Sequence, residues 1–373
     1  MKVRDKEWFK KKVEDIKFCG YVFGEGVREV AQRFGLNPQE IVKLDSNENL
    51  FAPKDALTKI IQEVLENFDP RIYPQEEMQE LVEEIGKYLD IRADYIAIGN
   101  GSDELLERIA RFILEKGDQA ISVTPTFSMY KHATVLQRAE YVEVPLRQDF
   151  SLDVEAILTK VTLRSRVLFL CSPNNPTANR FKKEDILTLI EEFPGIVVVD
   201  EAYAEFSEDT LVPLTRKFDN LVILRTFSKA FGIAGLRLGY CIANPEITQI
   251  LSKNVGLPYP VNTLALKVGA KILEKRSIIY RAIERLKAER DKLIKKIRDI
   301  EGAYAFDSET NFVLFKTEKP LDEVYQGLLR RGIIVKKLGD ILKFSNCFRA
   351  TVGLPEMNNN LVKALEAICS KNS

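Results

Sequence analysis

Histidine is almost absent from this chain: 373 residues hold one, His132. That excludes a histidine-rich metal site and leaves any Ser-His or Cys-His machine dependent on a single residue. The five cysteines, Cys19, Cys171, Cys241, Cys347 and Cys369, are odd in number and form no CxxC pair. A zinc ribbon or a disulfide scaffold is therefore not expected, and reduced thiols are the default. Net charge is missing too, with 55 basic against 55 acidic residues, so no global positive field draws nucleic acid. No run approaches the roughly 18 uninterrupted apolar residues that a membrane-spanning helix needs. The N-terminal segment mixes Lys2, Arg4 and Lys6 with Asp5 and Glu7 before Trp8 and Phe9. It lacks a signal peptide's apolar core, has too many acids for a transit peptide, and reads as an amphipathic helix. A cytoplasmic protein with no nucleic-acid or membrane partner is the expectation.

What is present is an ordinary globular balance, 45% hydrophobic and 29% charged, in a chain long enough for two domains. Residues 1–40 read as helix and loop, 41–53 as a polar loop after a short apolar run, and 54–90 as two amphipathic helices broken by DPRIYP (69–74). A strand–loop–helix rhythm follows. Short apolar strands are predicted at Tyr95–Ile98, Ala120–Val123, Val167–Leu170, Ile196–Val199 and Leu221–Leu224. Such runs alternating with helices indicate a parallel sheet buried on both faces, whose ligands bind at the carboxyl ends of the strands. A charged helix over 276–300, strands at Asn311–Lys316, Ile333–Lys336 and Arg349–Val352, and a helix over 356–370 suggest a smaller α+β unit.

Polar clusters sit at the predicted strand ends. Gly99-Asn100-Gly101-Ser102-Asp103-Glu104 would let backbone approach a phosphate at a helix N-terminus, although it is neither a dinucleotide fingerprint nor a P-loop. Read alone, it is a glycine turn with Ser102 or Asp103 as helix cap. Ser172-Pro173-Asn174-Asn175-Pro176-Thr177 alone is a turn. Asp200, directly after Val197-Val198-Val199, is an acid at the ligand edge that needs a partner if buried. Thr226-Phe227-Ser228-Lys229, with Arg237 beyond it, puts a lysine at a strand end among small and aromatic residues, where its pKa can fall. Together these clusters fit pyridoxal 5′-phosphate (PLP), which needs an amine for its aldehyde, an acid at its ring nitrogen, donors to its phenolate, a stacking ring and a phosphate cup.

The ordered runs LDSNEN (44–49), RIYP (71–74), GNGSDE (99–104), PTFSMY (125–130), SPNNPT (172–177), VVVDEAYAEF (197–206), RTFSKAFGIAGLRLGY (225–240) and FRATVG (348–353) resemble the fold-type I PLP-dependent aminotransferases, in particular the histidinol-phosphate aminotransferase branch. The resemblance implies an α/β fold: a large cofactor-binding domain over 48–255 with a mostly parallel sheet, and a smaller α+β domain from 1–47 and 256–373. It implies that Lys229 bonds the cofactor aldehyde and shuttles the proton, and that Asp200 holds the ring nitrogen protonated. Asn175 and Tyr203 would hydrogen-bond the phenolic oxygen, Tyr203 counting with Lys229 and Asp200 as catalytic. Gly101, Ser102, Asp103, Thr226, Ser228 and Arg237 would form the phosphate cup, the second and third chiefly through backbone. Phe127 would stack on the ring, and Tyr73 would reach the phosphate across a homodimer interface. Arg349 would clamp a substrate carboxylate, with Tyr21, Asn47 and Lys336 beside the substrate.

Three departures stand out. Ala178 follows Asn-Pro-Thr where glycine is usual. Lys336 occupies the place of an arginine that commonly meets substrate phosphate, which replaces a bidentate fork by a point charge. Gly20 replaces the proline usual before Tyr21. The implied reaction is ping-pong transamination between L-histidinol phosphate and a 2-oxo acid, 2-oxoglutarate. An aromatic or broad-specificity aminotransferase, a phospho-amino-acid decarboxylase of the same fold, and a non-enzymatic regulator are the alternatives.

Overall fold

The computed structural model describes residues 6–17, 24–207 and 209–370. Among them the strands are β1 Val42–Leu44, β2 Ile96–Gly99, β3 Gln119–Thr124, β4 Glu140–Pro145, β5 Ser165–Cys171 and β6 Ile196–Asp200. They continue as β7 Leu221–Thr226, β8 Gly239–Ala243, β9 Ala303–Ala305, β10 Phe312–Thr317, β11 Ile333–Ile341 and β12 Phe344–Thr351. A seven-stranded sheet runs β2-β8-β7-β6-β5-β3-β4, and a five-stranded sheet runs β1-β11-β12-β10-β9.

The centre of the large sheet is parallel, β4-β3-β5-β6-β7, and the strands β5, β6 and β7 are apolar and buried along almost their whole length. Helices therefore cover both faces. One strand departs from the expected pattern: β8 runs antiparallel to both β2 and β7. It is as buried as its neighbours, so its composition carries no trace of its direction. Four strands were not expected from the sequence: β1, β4, β8 and β9. β4 is an edge strand whose Glu140 is exposed, and charge on an edge guards against unwanted pairing.

The smaller sheet is mixed. β1 joins it in parallel with β11, while β11, β12, β10 and β9 pair antiparallel. β11 and β12 form a hairpin much longer than the predicted Ile333–Lys336 and Arg349–Val352, with irregular register near Gly339, where φ is +87°. The predicted helices appear as Lys54–Leu65, Glu77–Leu89, Ser277–Arg298 and Pro355–Cys369. The helix Thr263–Glu274 packs on the first two of these, with Gly269 against Leu81 and Leu238. The N-terminal region contains the helices Lys6–Lys17 and Val27–Phe34. No described helix is long and apolar enough to cross a membrane.

This architecture sets the carboxyl ends of β5, β6 and β7 side by side. Cys171 and Asp200 are register partners there, as are Asp200 and Leu224, and β7 ends at Thr226.

Candidate active site

Asp200 ends β6 and is 5% exposed. The Tyr130 hydroxyl donates to its Oδ2 at 2.9 Å, and the Ala202 N–H donates to Oδ1 at 3.0 Å. Burial pushes its carboxyl up to about 6 against those two hydrogen bonds. Both donors are neutral, so neither balances the charge of the carboxylate. A protonated heteroaromatic nitrogen would supply the balancing positive charge.

Lys229 lies just beyond β7 and donates from Nζ to the Ser46 carbonyl at 3.1 Å. Burial, helped by the nearby Arg349 guanidinium, brings its ammonium down to about 8. Its Nζ is 6.0 Å from the centre of the Tyr203 ring. Acid and amine thus stand at the ends of adjacent strands, near enough to feel each other's charge, and each is pushed toward its neutral form.

The loop after β1 reaches the same strand ends, touching Lys229 through Ser46 and Tyr203 through Asn47. Asn47 is 1% exposed with φ +56°. Thr351 Oγ1 accepts its N–H at 2.9 Å, and Asn311 Nδ2 donates to its carbonyl at 2.8 Å. Its side-chain Nδ2 donates to Tyr203 Oη at 3.0 Å, while its Oδ1 is buried without a partner. Tyr203 accepts there, so its own hydroxyl proton is available to another acceptor. Arg349 donates to Asn175 Oδ1 at 2.5 Å and to the Asp45 carbonyl at 2.7 Å, with its guanidinium 5.3 Å above the Phe312 ring. Lys336 is the cross-strand partner of Arg349 and is partly buried; burial and then Arg349 lower its pKa.

A second group forms the cup. The helix Ser102–Ile113 starts after Gly101, whose φ is +82°, and no side chain caps it. Ser102 and Asp103 are therefore not caps, which corrects the simpler reading of the run: Asp103 turns its carboxylate to Arg237 Nη2 at 3.0 Å instead. Arg237 Nη1 also donates to Ser228 Oγ at 3.4 Å, and the Ser228 N–H donates to Thr226 Oγ1 at 3.1 Å. A Cβ on Gly101 would stand 2.7 Å from Arg237 Nη2, and one on Gly239 would collide with the Ser102 nitrogen. The two glycines let the guanidinium and the helix start close on one space, an arrangement that suits an anion. Arg237 itself has φ +52°, a strained conformation of the kind that collects at functional sites.

The buried Asp200 with its two neutral donors, the low-pKa Lys229 and the glycine-walled cup together fit PLP. Phe127 is partly buried and meets the Tyr130 ring edge-on at 5.7 Å. Tyr73 is not brought to the cup: it is 69% exposed and stacks on Tyr259 at 4.6 Å. Tyr21 lies outside the described residues. Ala178 has φ +67°, a left-handed position that explains why glycine is usual there. Sequence reasoning missed Tyr130. It stands in PTFSMY three places after Phe127, and that proximity to the expected stacking ring was the one available signal.

Residues 39–365 match the family model described as aminotransferase class I and II. The histidinol-phosphate aminotransferase of Methanosarcina mazei is 38% identical over 370 residues, covering 98% of each chain. That of Thermoanaerobacter pseudethanolicus is 37% identical over 327 residues, covering 87% of this chain and 92% of its own. Among solved structures, the Sinorhizobium meliloti histidinol-phosphate aminotransferase in complex with pyridoxal-5′-phosphate superposes with TM-score 0.85 at 22% identity, covering 99% of this chain and 98% of that one. An aspartate aminotransferase variant from Thermus thermophilus gives 0.76 at 20% identity, covering 88% and 98%. At those identities the structural likeness is one of fold, the fold-type I architecture.

Proposed function

Because the chain belongs to the class I and II aminotransferases, we propose that it transfers the amino group of L-histidinol phosphate to 2-oxoglutarate, giving imidazole-acetol phosphate and L-glutamate. The cofactor is PLP. It supplies an electron sink for the charge that develops at the substrate α-carbon.

The observation that carries the chemistry is the placing of Asp200 and Lys229 at the ends of adjacent strands, within reach of each other's charge. Asp200 would hold a proton on the ring nitrogen by supplying its counter-charge. Lys229 would bond the cofactor aldehyde when no substrate is present and, once displaced, move the proton at the substrate α-carbon. A pKa near 8 suits that role, because a sizeable fraction of the amine is free near neutral pH. Tyr203 and the NH2 of Asn175 would donate to the phenolic oxygen, and Gly101, Ser102, Asp103, Thr226, Ser228 and Arg237 would hold the phosphate group.

The cation pair Lys336 and Arg349 supports the phosphorylated donor. Residues directly opposite on neighbouring strands project to the same face of the sheet, so two positive groups stand together. Histidinol phosphate has no α-carboxylate, so Arg349 would meet the dicarboxylic partner or the substrate phosphate. Asn47 completes the substrate side.

The division into a large unit over 48–255 and a small one from 1–47 and 256–373, a cytoplasmic location and a homodimer belong to the same reading. The exposed, stacked pair Tyr73 and Tyr259, with the exposed Ile72 and Leu257 near them in sequence, supports the dimer. A donor screen against 2-oxoglutarate, followed by glutamate formation, tests the function. Preference for an unphosphorylated aromatic donor, or release of carbon dioxide in place of a keto product, would overturn the substrate assignment.

A further inference from the structure

Asp200 is backed by a residue to which none of the roles above belongs. We propose that Tyr130 is a positioning residue: its buried hydroxyl fixes the Asp200 carboxylate in one orientation and holds it ionised, so that Asp200 can partner a protonated ring nitrogen. The proposal rests on the PLP reading of the pocket.

Tyr130 is fully buried on the helix Met129–Leu136. Its hydroxyl takes Oδ2 of Asp200 and the Ala202 N–H takes Oδ1, so each carboxylate oxygen has a donor and rotation of the group would break both bonds. The Tyr130 ring is itself immobilised. It stacks on Phe169 of β5 with centroids 5.3 Å apart and planes 6° from parallel. It also meets Phe127 edge-on, the ring set to stack on the cofactor. One side chain therefore braces both the acid and the stacking ring.

The groups facing Asp200 come from every neighbouring element. Cys171 is its register partner on β5, and Tyr203 follows β6. Asp103 comes from the helix Ser102–Ile113 and opposes its charge, while Lys229, beyond β7, favours it. Among them Tyr130 alone places a side-chain hydrogen bond on the carboxylate. Burial already carries Asp200 to about 6, so losing that donor would bring its protonation to neutral pH. A neutral carboxyl gives no counter-charge to a ring N–H.

Tyr130→Phe keeps the ring and its stacking and removes only the hydroxyl, which also meets the Cys171 thiol. In cofactor-free protein, the urea midpoint measured from pH 4 to 9 should show the Asp200 inflection displaced upward by about one unit, the equivalent of a tenfold change in proton affinity. Affinity for PLP, measured by equilibrium dialysis, should fall about threefold at pH 6.5, where a one-unit shift lowers the ionised fraction of Asp200 by that factor, and hardly at pH 8.5. In an Asp200→Asn background neither effect should remain. An unmoved inflection, or a loss of PLP affinity that is equal at both pH values and survives in Asp200→Asn, would mean that Tyr130 is packing alone. If wild-type protein fails to bind PLP, the functional reading falls instead, while the cofactor-free titration still decides what Tyr130 does to Asp200.

Discussion

Lys336 and Arg349 stand directly opposite each other on β11 and β12, two cations on one face of the small sheet. Like charges so placed repel, and Arg349 adds to burial in lowering the pKa of Lys336, with Asp45 opposing the shift. A phosphate monoester would relieve that repulsion. Lys336→Ala should therefore raise KM for the phosphorylated donor about tenfold to hundredfold and change KM for 2-oxoglutarate much less. Lys336→Arg should be tolerated or bind the donor better, since a guanidinium matches phosphate with two parallel bonds. Steady-state kinetics with each substrate varied in turn decides the matter. Small, equal effects on both would leave Lys336 as a strand residue with no substrate role.

Lys229 gives a prediction in pH. Its folded-state pKa is depressed to about 8 from 10.5, and the reactive form is the free amine. Capture of PLP by cofactor-free protein, followed by absorbance, should accelerate as pH rises through about 8 and then level off. Lys229→Ala should remove this phase and abolish transamination in a protein that remains folded. A profile with its midpoint near 10, as for an exposed lysine, would contradict the environment described for it.

Asp200 gives a prediction in stability. Its folded pKa, about 6, is raised above the unfolded 3.8, so cofactor-free folded protein binds more protons than the unfolded chain between those values. The contribution of Asp200 is full below about pH 4 and is lost as pH climbs through about 6, on the order of 3 kcal/mol in all. Asp200→Asn should flatten this dependence in urea titrations of the cofactor-free protein and make it at least as stable as wild type at pH 8. With PLP bound, the same substitution should slow turnover by several orders of magnitude. A loss within about tenfold would reduce Asp200 to a structural role.

The strand ends were legible because Val197-Val198-Val199 wants burial while the Asp200 that follows wants an edge, and the carboxyl end of a buried strand satisfies both. That the polar clusters gather at those ends was legible for the same reason. Direction was not legible. Gly239–Ala243 is as apolar as the parallel strands, and the chain turns into it through the left-handed Arg237, a residue type that does not announce such a turn. Tyr130 was hidden because a tyrosine on a short mixed helix reads as surface or core until its hydroxyl finds a partner. Asp45 and Ser46 act through backbone carbonyls, to Arg349 and Lys229, and carbonyls leave no mark on sequence.

Behind the cup, Arg225 is held between Glu201 at 2.8 Å and Glu205 at 2.7 Å, all three almost fully buried. Thr210 Oγ1 takes a third guanidinium bond, and Glu201 also accepts the Leu211 N–H. Removing the cation leaves two carboxylates facing each other out of water. Arg225→Leu should cost about 3–5 kcal/mol at pH 8, and the loss should shrink as pH falls and the carboxyls take protons. Urea midpoints of variant and wild type at pH 5.5 and 8 check this. A pH-independent loss of about 1 kcal/mol would mean that the triad is solvated in solution.

Tyr73 is the most exposed of the assigned cofactor residues and makes no contact with the cup in its own chain. It is 69% exposed and stacks on Tyr259, itself 48% exposed, and their chain neighbours Ile72 and Leu257 are 61% exposed each. Two stacked aromatic rings left open to water, with exposed apolar neighbours in sequence, are what a covered contact surface would leave on a single chain. If a second copy covers this patch and its Tyr73 hydroxyl reaches the cup around Ser228 and Arg237, cofactor retention must depend on assembly. Tyr73→Phe removes one hydrogen bond to a charged group and should weaken PLP retention about tenfold to hundredfold while leaving the dimer intact, because the ring that packs is kept. Leu257→Asp puts a charge into the patch and should produce monomers that lose PLP as readily as Tyr73→Phe does. Light scattering gives the assembly state and dialysis the retention. A monomer that retains PLP and full activity would break the link between Tyr73 and the cup and return the tyrosine to the surface as an ordinary exposed side chain.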